Sequence, residues 1–395
     1  MDLATDALAL AALASAAIWA WLLAGHGRFW RADQRLGRPP PPSEWPDVVA
    51  VIPARDEAET VAQTLSAHGA TTYPGRFSVI LVDDASTDGT GEIARSVAEK
   101  SARPIRIVPA PPLPPGWTGK LWALEAGLAA ADTHAPRAEY VLLTDADILH
   151  APETLARLVA KAHGEVRALV SLMARLDDRG LWGGLLIPAF VFFFQKLYPF
   201  PRVNDPERAE AGAAGGCVLL RRDTLAAIGG IAAIRTALID DCTLAGRVKT
   251  GPPRRSIWLG LAEDEVISLR DNRALASVWK MVARTAFTQL DHSPLRLAGT
   301  LAGMALVYMA GPVAALGGGA TGAPGPLAAG ALASGLSAIA YAPTLALYGR
   351  PRWQALGLPA AAALFTLMTL DSARAHWAGR GGAWKGRSYP KPADQ

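Results

Sequence analysis

Apolar residues along the chain fall into two kinds of stretch: long uninterrupted ones towards the ends, and short runs in the middle that alternate with amphipathic segments. The first short run, 47–53, reads as a buried strand, and 57–68 as the helix after it. A second strand, 77–82, ends in Asp83-Asp84. A polar turn over 85–90 then leads into a helix reaching about Lys100. Residues 104–108 make a weaker third strand, and a proline-rich loop, 109–116, precedes a helix over 120–131. Tyr140-Val141-Leu142-Leu143 is too short for a helix and reads as a fourth strand. It runs into Thr144-Asp145-Ala146-Asp147, and a helix over 152–164 follows. Strands alternating with helices predict an α/β domain with a mostly parallel sheet covered on both faces.

The long stretches predict a different environment. Residues 7–24 are apolar throughout and long enough to cross a bilayer. Asp2 and Asp6 precede them, whereas Arg28, Arg31, Arg35 and Arg38 follow. That pattern is an anchor over 1–27 and not a cleaved signal peptide. The positive-inside rule places its N-terminus outside and the chain after Arg28 in the cytoplasm. A basic, proline-rich linker, 28–46, stands between anchor and domain, with Pro39 to Pro42 as a stiff spacer. Segments 297–316, 327–347 and 355–370 predict a C-terminal transmembrane region over 293–373, giving four spans with the first, followed by a basic tail, 374–395. Arg350 and Arg352 fit the cytoplasmic side. Arg374, Arg380, Lys385 and Arg387 would then lie outside, so the span count and the side of the tail stay open. Residues 185–194 are intensely apolar but few, and Pro188 interrupts them. A stretch of this length is either a buried core helix or, as the bracketing Trp182, Lys196, Tyr198 and Arg202 favour, a segment over 182–202 lying in the membrane interface.

Composition agrees with this division. The chain is 51% hydrophobic and 19% charged, and the excess of apolar residues sits at the ends. A net charge of +4, with no basic run interleaved with aromatics, gives no argument for a nucleic-acid partner, and none is expected. Cys217 and Cys242 make neither a disulfide framework nor a zinc spacing, and both read as packing residues in a reducing compartment.

Acidic residues mark strand and helix ends: Asp56-Glu57, Asp83-Asp84, Asp145 with Asp147, and Asp240-Asp241. A parallel sheet gathers the first three along the edge where such sheets bind ligands. Two carboxylates one residue apart repel each other unless positive charge lies between them, and a hard divalent cation carrying a phosphate supplies it. For an isolated Asp-x-Asp, a helix cap and a solvated turn would be the simpler account.

The order of the motifs changes that balance. Ile52-Pro53-Ala54-Arg55-Asp56-Glu57, then Val82-Asp83-Asp84-Ala85-Ser86-Thr87-Asp88-Gly89-Thr90, Gly119-Lys120 and Asp145-x-Asp147 resemble the family 2 glycosyltransferases over about 48–290. These are inverting enzymes with the Rossmann-like GT-A fold. Segments 114–124 and 279–290 look like the branch found beside bacterial hopanoid biosynthesis genes. The resemblance implies a catalytic domain over 47–292, in which Pro53, Arg55 and Glu57 hold the donor nucleotide. Asp84 would meet its base, and Asp83 would support that loop. Asp145 would lie near the donor ribose and, with Asp147, hold the Mg2+ or Mn2+ that bridges the diphosphate. Lys120 either adds positive charge at the diphosphate or is a solvated residue at a helix start. In the family an acidic pair precedes a helix and its second member is the general base, which implies Asp241 as base and Asp240 beside it; capping that helix is the structural alternative. The family commonly has Glu where Asp240 stands. Gly215 and Gly216 would lie on the acceptor side, where glycine admits close backbone approach. Arg284 would contact the diphosphate. Met281 and Thr285 depart from the pattern of processive members, which weakens a polymer-synthase reading.

The function implied is a membrane-bound, metal-dependent inverting glycosyltransferase of the bacterial inner membrane, with its catalytic domain in the cytoplasm. It would move one sugar from a nucleotide-sugar, expected to be a UDP-sugar, to a lipid hydroxyl; a hopanoid acceptor rests on the resemblance alone. A polyprenyl-phosphate glycosyltransferase, kept open by Arg221 and Arg222, and a polysaccharide synthase are the enzymatic alternatives. A membrane scaffold without turnover is the alternative of another class, against which the intact Asp84, Asp145, Asp147 and Asp241 argue.

Overall fold

The computed structural model describes residues 3–251 and 255–381, and beyond them a short antiparallel pairing of 383–384 with 387–388. Two compact units emerge. One collects Asp33–Asp177, Arg202–Arg270 and the short strand pairing after residue 382; the other collects residues up to Ala32, Asp178–Pro201 and Asp271–Gly382.

The first unit is built on a seven-stranded sheet and a separate strand pair. In chain order the strands are β1 (Val48–Ala54), β2 (Phe77–Asp83), β3 (Ile105–Pro109), β4 (Tyr140–Thr144), β5 (Ile148–His150), β6 (Leu169–Met173), β7 (Cys217–Arg221), β8 (Ile257–Leu261) and β9 (Val266–Ser268). The large sheet runs β3-β2-β1-β4-β7-β6-β8, and β5 pairs with β9. Four of its six neighbour pairings are parallel; β7 is antiparallel to both β4 and β6. The predicted α/β, mostly parallel sheet is therefore present, with one reversed strand that no sequence signal announced. Strands β1 and β4 are buried at every position, which is why they read as unbroken apolar runs. One face of the sheet packs Val48, Ala50, Ile52, Leu81, Leu142, Val170 and Leu219 into the core.

Register sets where the polar ends fall. Ala54 of β1 pairs with Asp83 of β2, and Thr144 of β4 pairs with Cys217 of β7. The carboxyl ends of β1, β2 and β4 thus share one edge with the amino end of β7. The predicted helix over 57–68 begins only at Val61, because Asp56 takes a left-handed turn at φ 51° and the Glu57 carbonyl accepts the Thr60 and Val61 amides. Residues 57–60 are thereby left in a loop at that edge.

The second unit is helical. Leu3–Gly25, Gly180–Leu197, Pro294–Thr321, Pro324–Leu347 and Arg352–Trp377 are each long and apolar enough to cross a membrane. Four of them correspond to the predicted spans. The fifth contains the segment expected at the interface: an 18-residue helix runs through Pro188 without ending there. Apolar bundles accept proline because neighbouring helices and local adjustments satisfy the freed carbonyl. Small residues bring helices close within this unit; a methyl on Gly330 would sit 2.3 Å from the Ala315 nitrogen. Of the predicted basic tail, Arg374 lies in the last turn of the final long helix, and Lys385 lies outside the described residues.

Candidate active site

The loops after β1 and β2 are laced together by their polar residues. The Asp56 amide donates to Ser86 Oγ at 3.0 Å and the Asp56 carboxylate accepts from the Thr87 amide at 2.9 Å. The Glu57 amide donates to Thr90 Oγ1 at 2.8 Å, and the Ala58 amide to Asp88 Oδ2 at 2.9 Å. Asp83 turns its Oδ1 onto the Ser86 amide at 3.0 Å and so holds the second loop. Asp84 is 3% exposed. Its amide donates to the Ala54 carbonyl at 2.8 Å, and its carboxylate lies 3.6 Å from the Arg55 guanidinium. Pro53 sits inside β1, opposite Val82. Arg55, Glu57, Asp83 and Asp84 therefore line one stretch of the sheet edge.

A second group forms around Lys120. Thr118 caps the helix Gly119–His134, accepting from the Leu121 amide, and places Lys120 in its first turn. The Lys120 ammonium lies 3.0 Å from Asp145 Oδ1 and 3.1 Å from Asp240 Oδ2, with only 20% of the side chain exposed. Burial alone would lower its pKa; Asp145, Asp240 and Asp241 outweigh burial and raise it. Lys120 is thus a charged bridge between two carboxylates and not a solvated residue. Asp145 responds to the same surroundings: burial raises its pKa, Lys120 lowers it, and Asp147 and Asp240 raise it again, for a net rise.

Asp241 completes this group. Its Oδ2 accepts the Gly215 amide and its Oδ1 the Cys242 amide, each at 2.7 Å. Burial, then Asp240, push its carboxyl up to about 6 against the opposing pull of Lys120 and those two amides. Capping does not explain the acidic pair, because Ile239 occupies the cap position and both acids lie in the first turn of the helix Asp240–Thr250. Gly216 gives its carbonyl to Thr144 Oγ1 at 2.7 Å, which stitches the glycine loop to the end of β4. At Gly215 a side chain would intrude: a methyl would lie 3.3 Å from both Lys120 Nζ and Asp241 Oδ2. Lys120, Asp145, Gly215, Asp240 and Asp241 open onto a small cavity whose remaining wall includes Leu124, Leu143, Ile231 and Ile234. Cys217 is buried, and burial pushes its thiol up to about 12, as suits a packing residue.

Asp147 faces another cation. It is 6% exposed, and its Oδ2 lies 2.9 Å from the Arg270 guanidinium. Burial would lower the Arg270 pKa; Asp147, Asp145 and Glu57 together raise it, so these three acids share one neighbourhood. Among the described residues no group of three His, Cys, Asp or Glu side chains could hold a metal alone. Two hard carboxylates nevertheless fit Mg2+ or Mn2+, which take one or two protein oxygens and fill their shell with phosphate oxygens and water. Arg270 was not legible in the sequence, since a single arginine after a three-residue strand carries no pattern. Arg284 belongs to the helical unit, just past the helix Leu275–Ala283.

Residues 49–229 match the family model described as glycosyl transferase family 2. YdaM of Bacillus subtilis strain 168, described as a probable glycosyltransferase, is 33% identical over 114 residues, which cover 29% of this chain. The match spans only 25% of that relative's length. Among solved structures, the mannosyltransferase PcManGT from Pyrobaculum calidifontis, in complex with GDP-Man and Mn2+, matches at a TM-score of 0.51 and 22% identity. That match covers 93% of this chain and 98% of the other, and it is a likeness of fold.

Proposed function

We propose that the family 2 glycosyltransferase domain of GT-A fold at residues 49–229 works with the acidic helix start at Asp240-Asp241 to transfer a sugar, with inversion, from a nucleotide-sugar to a lipid hydroxyl. One observation carries this reading. A single lysine, Lys120, bridges the Asp-x-Asp strand end and the acidic pair of a distant segment beside one cavity. The laced loops bearing Arg55, Glu57 and Asp84 offer a nucleotide platform. Asp145 and Asp147 would hold Mg2+ or Mn2+, which neutralises charge on the diphosphate leaving group when bound. Asp241 is the general base: as the bond from the sugar carbon to the diphosphate breaks and the acceptor oxygen bonds to that carbon, it takes the acceptor's proton. Its raised pKa makes it a stronger base that is still ionised at neutral pH. The two backbone amides fix its orientation, which keeps it aimed at one position.

A membrane acceptor is supported by the five apolar helices and by the arginines after the first of them. We place the domain on the cytoplasmic face of a bacterial inner membrane. The hydroxyl acceptor is preferred to a polyprenyl phosphate because Arg221 and Arg222 are already engaged. Arg221 pairs with Asp223 at 2.5 Å, and Arg222 pairs with Asp132. A hopanoid is the acceptor to try first, on the strength of the sequence resemblance. The test is mass spectrometry of lipid extracts after membranes holding the protein meet a panel of UDP- and GDP-sugars. A new glycolipid dependent on one donor is expected; no product from any donor, with folded protein, would overturn the assignment.

A further inference from the structure

Lysine is uncommon inside an apolar helical bundle, where its charge is costly unless something neutralises it. Lys196 stands in the last turn of the helix Gly180–Leu197, and among the described residues no carboxylate pairs with it. Its ammonium lies 2.7 Å from Tyr308 Oη, 4.7 Å from the centre of the Tyr308 ring and 5.6 Å from that of Phe193. Aromatic faces attenuate a cation without cancelling it.

A break in the helical ladder puts Tyr308 there. Residues Ala305–Met309 form a π-helical turn between the α-helical stretches Pro294–Met304 and Ala310–Thr321. Such turns release backbone groups and recur at functional sites. The Val307 carbonyl accepts from Ser15 Oγ at 3.0 Å and from the Trp19 indole at 2.9 Å. The Trp19 ring packs edge-on against Tyr308, with centroids 5.4 Å apart. The N-terminal helix therefore stabilises the irregular turn, and the turn aims the tyrosine hydroxyl at the lysine. His26, at the end of that same helix, bonds the Lys196 carbonyl through Nε2 at 2.8 Å.

Hydrogen bonding leaves a surplus of donors. One ammonium hydrogen serves Tyr308 Oη, which accepts it and keeps its own hydrogen to give. Two ammonium hydrogens and one hydroxyl hydrogen then have no protein acceptor among the described residues. Arg28 and Arg31 follow His26 in sequence, and basic residues flanking membrane helices characteristically lie at the headgroup level. We propose that Lys196 and Tyr308 form a binding site for the phosphate monoester headgroup of a membrane lipid. The site lies within the helical unit, uses none of the carboxylates assigned to transfer, and stands or falls separately from the transfer reaction.

The experiment is native mass spectrometry of the full-length protein in detergent, offered phosphatidic acid, phosphatidylcholine or inorganic phosphate. Wild type should retain phosphatidic acid about tenfold better than Lys196→Met, since a charge-assisted hydrogen bond is worth 1.5–3 kcal/mol. Lys196→Arg should retain most of the binding, and Tyr308→Phe should lose a few-fold. Equal retention of phosphatidic acid by wild type and Lys196→Met, at unchanged thermal unfolding, would overturn the site. Should Lys196→Met not fold, equal retention by wild type and Tyr308→Phe would do the same. Binding of inorganic phosphate without phosphatidic acid would overturn the lipid as its source, and phosphatidylcholine held as well as phosphatidic acid would overturn recognition of the phosphate monoester.

Discussion

A carboxylate that accepts two backbone amides is ordinarily made more acidic; Asp241 goes the other way because burial and the neighbouring Asp240 prevail. The consequence for activity has a definite sign. Below about pH 6 the base is protonated, so turnover should fall roughly tenfold per pH unit on the acid side of a limb near 6, read from initial rates. Stability runs oppositely: a carboxyl whose pKa is raised on folding stabilises the native state most below its unfolded value, and that contribution is lost as pH rises through about 6. At Asp147 the expectation concerns the donor. Asp147→Asn should remove the dependence of nucleotide-sugar affinity on Mg2+ or Mn2+, measured by calorimetric titration with and without the ion; an unchanged metal dependence would remove Asp147 from the metal site. The acids were legible because each closes a strand or opens a helix. The cations that organise them were less so. Lys120 left two readings open in the sequence, and Arg270 showed itself only through its 2.9 Å contact with Asp147.

Among the elements, β1, β2 and β4 could be read directly as apolar runs followed by turns and helices. Strands β6 and β7 are just as buried over most of their length, but β7 follows a glycine-rich stretch and returns antiparallel between β4 and β6. Nothing local encodes that insertion. It matters because the reversal brings Gly215 and Gly216 to the edge where β4 ends. Packing behind that edge is tight: a methyl on Gly127, in the helix Gly119–His134, would lie 2.3 Å from Val51 Cγ1 and 2.9 Å from Val82 Cγ2. Gly127→Ala should therefore destabilise by about 1–3 kcal/mol, since overpacking a close-packed contact outweighs alanine's better helix propensity. A denaturant melt reads this, and a neutral or stabilising result would show that β1 and β2 yield easily. The most apolar part of the helix Gly180–Leu197 is only 185–194, flanked by Gly183, Gly184 and Gln195, yet the backbone stays helical through them.

At the scale of the whole molecule, one unit gathers the sheet and its acidic edge, while the other gathers helices from the start, middle and end of the chain. Periodicity shows the two environments but not that the middle helix groups with the terminal ones, since grouping is decided by contacts far apart in sequence. The arginines after the first helix predict that a tag at Ser43 is shielded from protease in intact cells and cut after lysis. Cleavage from outside would reverse the assigned orientation. In the proposed reaction Asp241 removes the acceptor proton as the sugar is transferred. The most direct measurement compares Asp241→Asn with wild type in one membrane preparation, recording both donor affinity and turnover. Donor affinity within about twofold of wild type with turnover down by 10²–10⁴-fold is the predicted result; near-normal turnover would contradict it and place the base elsewhere.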